Sequence, residues 1–319
     1  MVSNVTSPGF VRHWVAVLLF GALPFNAGAV DEVSCDSAGI ALQVLGSGGP
    51  IADDGRASSG YVVWVNGMSR YLIDIGGGTF LRFAEAGASF ADLELIAISH
   101  FHADHSSDLP AILKSGYFAP RERALTISGP GPGGPFPALH DYVNALLNSD
   151  NGAYGYLSGY LDGSGGLSQL EQVEVKSDQQ NVVAVLGDAS SDNQVDAMHV
   201  PHGIVPALAY RVRIGDKSIV FASDQNGSNV DFIDFAKNAS ILVMHIPVPE
   251  GVTGAARQLH APPSIVGDIA AAADVEKLVL SHFMARSLRG LGENVSIIRS
   301  RYDGPIHISN DLDCIALDD

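Results

Sequence analysis

The sequence contains few cysteines and few basic residues. Its 319 residues include 2 Cys and 18 Lys and Arg, set against 35 Asp and Glu, which gives a net charge of −17 at pH 7. A chain this acidic repels polyanions at long range. Residues 129–169 contain no Lys or Arg at all. We therefore expect no nucleic-acid partner, because binding one requires cations that neutralise phosphates.

A long hydrophobic run is also missing near the start of the chain. The apolar run of residues 15–25 is interrupted by Pro24, and it is shorter than the ~20 apolar residues that span a bilayer. Arg12 precedes the run and small residues follow it, which is typical of a secretory signal peptide. The alternative is a retained membrane anchor. We predict that residues 1–29 are a cleaved signal peptide, and that the mature protein is periplasmic or secreted without a stable membrane anchor.

The two cysteines, Cys35 and Cys314, lie near opposite ends of the predicted mature chain. In an exported protein an even pair of cysteines favours a disulfide. The alternative is two separate buried thiols. Because export is predicted, we expect the disulfide.

Apolar segments with strand and helix patterns alternate along the chain. The composition, 46% hydrophobic and 17% charged, is that of a chain that buries a sizeable core. Residues 79–87 and 106–116 have helical patterns, and residues 93–99 form a short apolar strand. This alternation predicts an α/β fold. Residues 129–169 differ, because they form a Gly- and Tyr-rich excursion that is either a lid or an ordinary irregular connection.

A dense group of ligand-type side chains directly follows the apolar strand of residues 93–99. The group consists of His100, His102, Asp104 and His105. Residues two apart share a face of extended backbone, so His100 and His102 can aim at one point. Imidazole and carboxylate groups are common zinc ligands. The alternative is core packing, but each buried group would then need its own local partner. We interpret the group as a metal site.

More ligands are expected from other strand ends, because one segment does not complete two coordination shells. Three candidates each follow an apolar run: His202, Asp224 and His282. For any one of them the alternative is a surface or capping residue. His199 could replace His202, but residues three apart on a strand lie on opposite faces. We prefer His202 because it begins the HG…P…AY pattern of residues 202–210.

The His-x-His-x-Asp-His motif, with the later His, Asp and His, resembles the metallo-β-lactamase superfamily. The segments LGSGGP, YLIDIGGGT, HGIVPALAYRV and KLVLSHFMAR are similar to ribonuclease Z and to related phosphodiesterase- and arylsulfatase-type branches. The similarity covers nearly the whole predicted mature chain and is weakest over residues 129–195. It implies a single domain at residues 30–319. The implied fold is an α/β four-layer αββα sandwich of metallo-β-lactamase type, with two mixed sheets and helices outside.

The resemblance also implies two zinc ions per chain, with Mn²⁺ or iron as alternatives. Their shared, dinuclear-metal-bound hydroxide would attack the substrate. The implied ligands are His100, His102 and His202 for one ion, Asp104, His105 and His282 for the second, and Asp224 as the bridge.

Two residues are predicted to be catalytic. Asp104 would orient or deprotonate the nucleophile as well as bind metal. His260 would act as general acid, or else is only the residue that leads into a helix beginning at two prolines. Asp74 would orient an imidazole ligand from behind, or else hold the turn of the glycines that follow it.

The chain departs from ribonuclease Z at the position after His245. A glutamate follows the matching histidine in that family, whereas Ile246 follows it here. A carboxylate that would support proton transfer is therefore missing, which disfavours transfer-RNA processing. The acidic to neutral segment of residues 129–169 disfavours it as well.

We therefore predict an exported metal-dependent hydrolase that acts on a small-molecule phosphodiester, sulfate ester or related ester. β-Lactamase or lactonase activity is an alternative, although Asp224 does not fit the usual β-lactamase pattern. A non-catalytic metal-binding scaffold is a further alternative, and the sequence leaves a homodimer open. Four aromatic residues either cover the substrate or pack against the domain: Phe136, Tyr154, Tyr156 and Tyr160.

Overall fold

The computed structural model describes residue 1 and residues 35–317, except residues 38, 120, 122, 177–181 and 189. By compactness the chain divides into Met1–Glu32 and Val33–Asp319. The predicted signal peptide, apart from residue 1, lies outside the described residues. Within the described ranges, no helix is both long enough and apolar enough to cross a membrane.

The first sheet is built mainly from the amino-terminal half of the described chain. Its strands are β1 (Ile40–Gly46), β2 (Gly60–Val65), β3 (Met68–Ile75), β4 (Leu95–Ala97), β5 (Leu125–Pro130), β6 (Leu170–Val175) and, from the end of the chain, β14 (Cys314–Ala316). Their order is β14-β1-β2-β3-β4-β5-β6. The strands from β14 to β3 pair antiparallel, and those from β3 to β6 pair parallel. The sheet is therefore mixed.

The second sheet repeats this plan with the rest of the chain. Its strands are β7 (Val183–Leu186), β8 (Asn193–His202), β9 (Val205–Ile214), β10 (Lys217–Phe221), β11 (Ile241–His245), β12 (Leu278–Ser281) and β13 (Ile306–Ile308). Their order is β13-β12-β11-β10-β9-β8-β7. Strands β7 to β10 pair antiparallel, and β10 to β13 pair parallel.

Helices cover the outer face of each sheet. They are α1 (Thr79–Glu85), α2 (Ala103–Ser106), α3 (Leu109–Gly116), α4 (Leu139–Leu147), α5 (Gly159–Asp162), α6 (Asp231–Ala236), α7 (Gly254–Leu259), α8 (Pro263–Ala272), α9 (Ala285–Arg289) and α10 (Leu291–Arg299). One apolar core lies between the sheets and includes Ile73 and Val243. Two further cores join the outer faces to helices, through residues such as Val143 and Val266. The predicted αββα sandwich with two mixed sheets is confirmed.

The helix predicted over residues 106–116 begins later than expected, at Leu109, and a separate short helix precedes it. Helix α2 ends at Ser106 and α3 begins at Leu109, with Pro110 in its first turn. Proline is tolerated in a first turn, where its missing N–H has no helical partner, but it disrupts a helix interior. Because α2 and α3 are separate helices, Asp104 and His105 of α2 do not belong to the helix that packs on the sheet.

The glycine- and tyrosine-rich excursion packs partly as core. Leu157 and Tyr160 are buried with residues of the first sheet's outer core. The Tyr160 hydroxyl donates a hydrogen bond of 2.8 Å to the Leu113 carbonyl. At Tyr160, therefore, packing against the domain is the observed arrangement, and this ring does not cover a substrate.

The predicted disulfide is present between Cys35 and Cys314, whose Cα atoms are 5.6 Å apart. Cys35 lies near the start of the unit Val33–Asp319, and Cys314 lies in the edge strand β14, which pairs with β1. The bond therefore closes a loop that contains almost the whole fold.

Replacing both cysteines with serine should lower the free energy of unfolding by about 2–4 kcal/mol, because the unfolded chain regains the entropy of an open loop. Urea denaturation followed by circular dichroism measures the change. The free energy of unfolding of the wild-type protein in reductant should equal that of the double variant in the absence of reductant. Equal stability of oxidised and reduced protein would contradict the expectation.

Candidate metal centre

The predicted ligands all lie where strands of the two facing sheets end. His100 and His102 follow β4, Asp104 and His105 lie in α2, His202 ends β8, and Asp224 and His282 follow β10 and β12. The side chain of His102 is partly exposed, and the other six are buried. Carboxyl ends of parallel strands meet at one edge of a sheet, which brings residues distant in sequence together.

One group of ligand atoms matches the predicted first metal set. Nitrogen and oxygen atoms of His100, His102, His202 and Asp224 all lie within 4.8 Å of one another. His100 Nε2 is 2.9 Å from His102 Nδ1, and His202 Nε2 is 3.6 Å from an Asp224 oxygen. These three imidazoles and one carboxylate can face a common ion.

A second group contains His105, Asp224, His245 and His282, again within 4.8 Å. The predicted ligand Asp104 is not in this group, but its Oδ2 lies 3.2 Å from His282 Nε2 and 3.6 Å from His105 Nε2. Asp224 belongs to both groups, which is the arrangement that a bridging carboxylate requires.

His245 was not predicted to contribute to the site. It ends β11 as His202 ends β8, so its position at a strand end was the available signal. Its Nδ1 lies 2.7 Å from Asp224 Oδ1, and its Nε2 lies 3.1 Å from the Tyr61 hydroxyl, which donates to Ser281. Because both ring nitrogens already have partners, we interpret His245 as a residue that orients Asp224.

Asp74 holds His105 from behind. Its Oδ2 accepts a hydrogen bond of 2.8 Å from His105 Nδ1, and its two oxygens also accept from the N–H and hydroxyl of Ser99. This contact leaves His105 Nε2 directed towards His282 and Asp104. It is the contact expected of a carboxylate that orients an imidazole ligand.

Burial and charge put His100, Asp104 and Asp224 in the form that binds metal. For His105 the effect of burial is outweighed by Asp74 and Asp224, which raise its pKa well above the usual range. Burial lowers the pKa of His100 well below its usual range. Burial alone would raise the pKa of Asp104, but a hydrogen bond from His282 and the nearby His105 lower it to about 2. For Asp224 the effect of burial is likewise outweighed by His282 and His260, so its pKa lies well below its ordinary value. Neutral imidazole and ionised carboxylate are the forms that coordinate a cation.

A buried nitrogen without a partner indicates that these residues fit a metal. His202 Nδ1 is 2.8 Å from the Leu259 carbonyl, whereas its Nε2 is buried without a hydrogen-bond partner and faces Asp224. An unpaired buried polar atom is costly. The donor set of imidazoles and carboxylates suits zinc. A cation between His202 and Asp224 would satisfy both.

The remaining histidine candidates occupy different places. His199 Nε2 lies 2.8 Å from the Lys176 carbonyl and belongs to neither ligand group, so the geometry agrees with the choice of His202. His260 Nδ1 is 3.8 Å from Asp224 Oδ1, also outside both groups. Burial lowers the pKa of His260 to about 4.

A pocket of about 360 Å³ opens over the metal-ligand groups. His260 lines it, together with an apolar wall of Pro50, Ile51, Leu259 and Met284. Four aromatic residues were predicted either to cover a substrate or to pack against the domain. The ring centroid of Phe136 is 5.5 Å from that of His102, but Phe136 does not line this pocket. None of Tyr154, Tyr156 and Tyr160 lines this pocket. The Tyr156 ring instead lies 5.1 Å from the Lys114 ammonium.

The amino-acid sequence is similar to those of ribonuclease Z proteins. The chain is 27% identical over 293 residues to ribonuclease Z of Mycolicibacterium paratuberculosis, covering 88% of this chain and 99% of that one. It is 24% identical to ribonuclease Z of Picrophilus torridus, covering 77% and 86% of the two chains. Residues 40–130 match a family described as anti-Pycsar protein Apyc1.

Structure comparisons agree on the fold. The metallo-β-lactamase fold protein YhfI from Bacillus subtilis superposes with a TM-score of 0.66 at 17% identity, over 86% of this chain and 98% of that one. The short form of human tRNase Z, ELAC1, has a TM-score of 0.66 at 18% identity, over 87% and 99%. Zn²⁺-bound PqqB from Methylobacterium extorquens has a TM-score of 0.57 at 12% identity, over 86% and 99%.

The chain has the metallo-β-lactamase fold and carries a site that can hold metal. The fold, the ligand groups and the similarity to ribonuclease Z together support a metal-dependent hydrolase of the metallo-β-lactamase superfamily. Within that superfamily, its similarity is to the ribonuclease Z branch.

His102→Ala should reduce bound zinc from about two ions per chain to about one, because the first ion loses one of its three imidazole ligands. The side chain is partly exposed, so the free energy of unfolding should change by less than about 1 kcal/mol. Elemental analysis and urea denaturation measure the two effects. His140→Ala, on the exposed face of α4, is the control. Full zinc content in His102→Ala would remove His102 from the ligand set.

Proposed function

We propose that the protein is an exported hydrolase that cleaves a small phosphodiester, sulfate ester or related ester. The observation that carries the proposal is Asp224, which is common to both ligand groups at the base of a small pocket. The signal-peptide pattern and the Cys35–Cys314 disulfide support export to the periplasm or outside the cell.

Two divalent cations, when bound, supply a water nucleophile of lowered pKa and polarise an oxygen of the ester. The residues that would hold them are His100, His102 and His202 for one ion, His105, His282 and Asp104 for the other, and Asp224 between them. Asp74 keeps His105 oriented, and His245 keeps Asp224 oriented.

His260 would serve the leaving group. It lines the pocket without joining either ligand group, so its ring is available to a substrate. Because burial holds its pKa at about 4, the imidazole is neutral at pH 7 and retains one N–H. That N–H can donate to the oxygen on which negative charge develops as the ester bond breaks.

The shape of the pocket supports a small substrate. About 360 Å³ is the size of a small-molecule site, and the apolar wall that includes Ile51 and Leu259 suits an organic group. Lys and Arg are absent from residues 129–169, so this segment offers no cations for an RNA backbone.

RNA cleavage is the second candidate. The relatives that align with this chain over almost their full length are ribonuclease Z proteins. Two sequence features oppose it. Ile246 occupies the position where a glutamate would support proton transfer, and the chain carries a net charge of −17. No nucleic-acid partner is therefore part of the proposal.

A substrate panel tests the proposed function directly. The zinc-loaded protein is assayed with bis(p-nitrophenyl) phosphate, p-nitrophenyl phosphate, p-nitrophenyl sulfate, a lactone, a cephalosporin and a precursor transfer RNA. We expect turnover of the phosphodiester or the sulfate, and no specific cleavage of the RNA. Turnover of the cephalosporin or the lactone alone would replace the proposal with its β-lactamase or lactonase alternative. Full zinc content without any turnover would favour the scaffold.

His260→Ala should lower kcat by about 10²- to 10³-fold, because a hydrogen-bond donor to the leaving-group oxygen is lost. Zinc content should stay at its original value, since His260 belongs to neither ligand group. His199→Ala, which lies outside the pocket, is the matched control and should retain the original kcat. Equal loss of zinc and activity in His260→Ala would make His260 a ligand instead.

A further inference from the structure

A second hollow adjoins the pocket over the metal-ligand groups. It has a volume of about 440 Å³ and lies between the turn that joins β8 to β9 and helix α7. We call it the α7 groove, and its lining residues are Gly203, Ile204, Asn226, Ala255, Gln258 and Leu259. Leu259 lines both hollows, and the predicted metal ligand His202 directly precedes Gly203. The two hollows therefore meet at Leu259.

Aliphatic side chains form the facing walls of the α7 groove. Ile204 lies in the two-residue turn and is 74% exposed, at a position where Gly, Asn, Asp or Ser is usual. The Leu259 side chain lies against the same turn, since a Cβ on Gly203 would be 2.9 Å from Leu259 Cδ2. Ala255 adds a methyl group from α7. A single exposed isoleucine is ordinary, but apolar surface that continues into a pocket is typical of a ligand site.

The asparagine of the groove is engaged in building its wall. Asn226 Nδ2 donates a hydrogen bond of 2.9 Å to the Gln258 carbonyl, and Asn226 Oδ1 accepts one of 2.9 Å from the Ser228 N–H. Arg257 Nη1 donates a further bond of 2.8 Å to the Asn226 carbonyl. These bonds join α7 to the segment after β10, so the groove is formed before any ligand binds.

The chemistry of the lining favours an apolar occupant. None of the described residues that line the α7 groove is charged. The apolar wall of the neighbouring pocket, which includes Ile51 and Met284, continues through Leu259 to Ile204. A substrate whose ester group lies at the metal-ligand groups reaches the groove by passing Leu259. Burial of an alkyl chain there is favourable, whereas a polar chain would lose hydrogen bonds to water.

We propose that the α7 groove is a substrate subsite and that the protein acts on amphiphilic esters, whose alkyl chain lies in this groove. This inference rests on the proposed hydrolase function and narrows it from small esters in general to esters with an extended apolar chain. The ester group of the same molecule lies over the metal-ligand groups.

A planar aromatic group is the competing occupant of the α7 groove. The Gln258 side chain is exposed at its rim, and an amide can bond the edge of a heterocycle. The two occupants predict different dependences of affinity on the ligand. An alkyl subsite binds longer chains more tightly, whereas an aromatic subsite prefers a ring to a flexible chain.

The experiment compares zinc-loaded wild type, Ile204→Ser, which removes an apolar wall, and Ala255→Trp, which fills the groove. The matched control is Val230→Ser, because Val230 is 75% exposed and lies outside both hollows. Calorimetry measures the binding of methylphosphonate, octylphosphonate and phenylphosphonate below the micellar concentration. Steady-state kinetics compare p-nitrophenyl methyl phosphate with its octyl homologue, and p-nitrophenyl acetate with the octanoate. Thermal unfolding and elemental analysis report folding and zinc content.

Octylphosphonate should bind to wild type about 100-fold more tightly than methylphosphonate. This corresponds to about twofold for each added methylene, roughly half the logarithmic effect of full burial, because the groove is open on one side. Ile204→Ser and Ala255→Trp should each reduce this preference by about tenfold and leave methylphosphonate binding and zinc content unchanged. The ratio of kcat/KM for octyl and methyl esters should fall in parallel, and Val230→Ser should match wild type.

Equal affinities of wild type for octylphosphonate and methylphosphonate would overturn the inference and leave the hydrolase function in place. A preference for the octyl chain that survives in both groove variants would place the chain elsewhere and also overturn it. Tighter binding of phenylphosphonate than of octylphosphonate would assign the groove to an aromatic group instead. If wild type hydrolyses no ester but binds the octyl chain through the groove, the hydrolase function fails and the alkyl-binding groove stands.

Discussion

The buried carboxylate of Asp224 is the group on which the site depends. It is 2% exposed, and histidines from both halves of the chain surround it, with His105, His202, His245 and His282 within 4.0 Å. A charge in this position is costly unless it is paired and hydrogen-bonded. Strands of both sheets end near Asp224 and place histidines around it. These histidines stabilise the charge of Asp224, and they also form the two ligand groups.

The alternation of apolar strands and helices was sufficient to predict an α/β fold, and the resemblance of the ligand motif and its neighbouring segments to the metallo-β-lactamase superfamily implied the sandwich. Strand geometry showed that only one of His199 and His202 can face the site, and the pattern of residues after His202 selected it. The sequence did not identify the role of His245. That role depends on Tyr61, which is distant in sequence and reaches His245 only across the packed sheets. The sequence left open whether Tyr160 covers a substrate or packs against the domain, because its burial against Leu113 is a tertiary contact.

The fold and the likeness to ribonuclease Z determine the class of chemistry but not the substrate. Two sequence features separate this chain from that branch. Ile246 stands where the family has a glutamate, and residues 129–169 contain no Lys or Arg. The second feature disfavours a polyanion, which needs many neutralising contacts.

Anomalous diffraction at the zinc edge, from crystals of the zinc-loaded protein, tests the central claim most directly. The account predicts two anomalous peaks per chain with Asp224 between them, one beside His100 and His202 and the other beside His105 and His282. A single peak, or two peaks of which neither contacts Asp224, would contradict it.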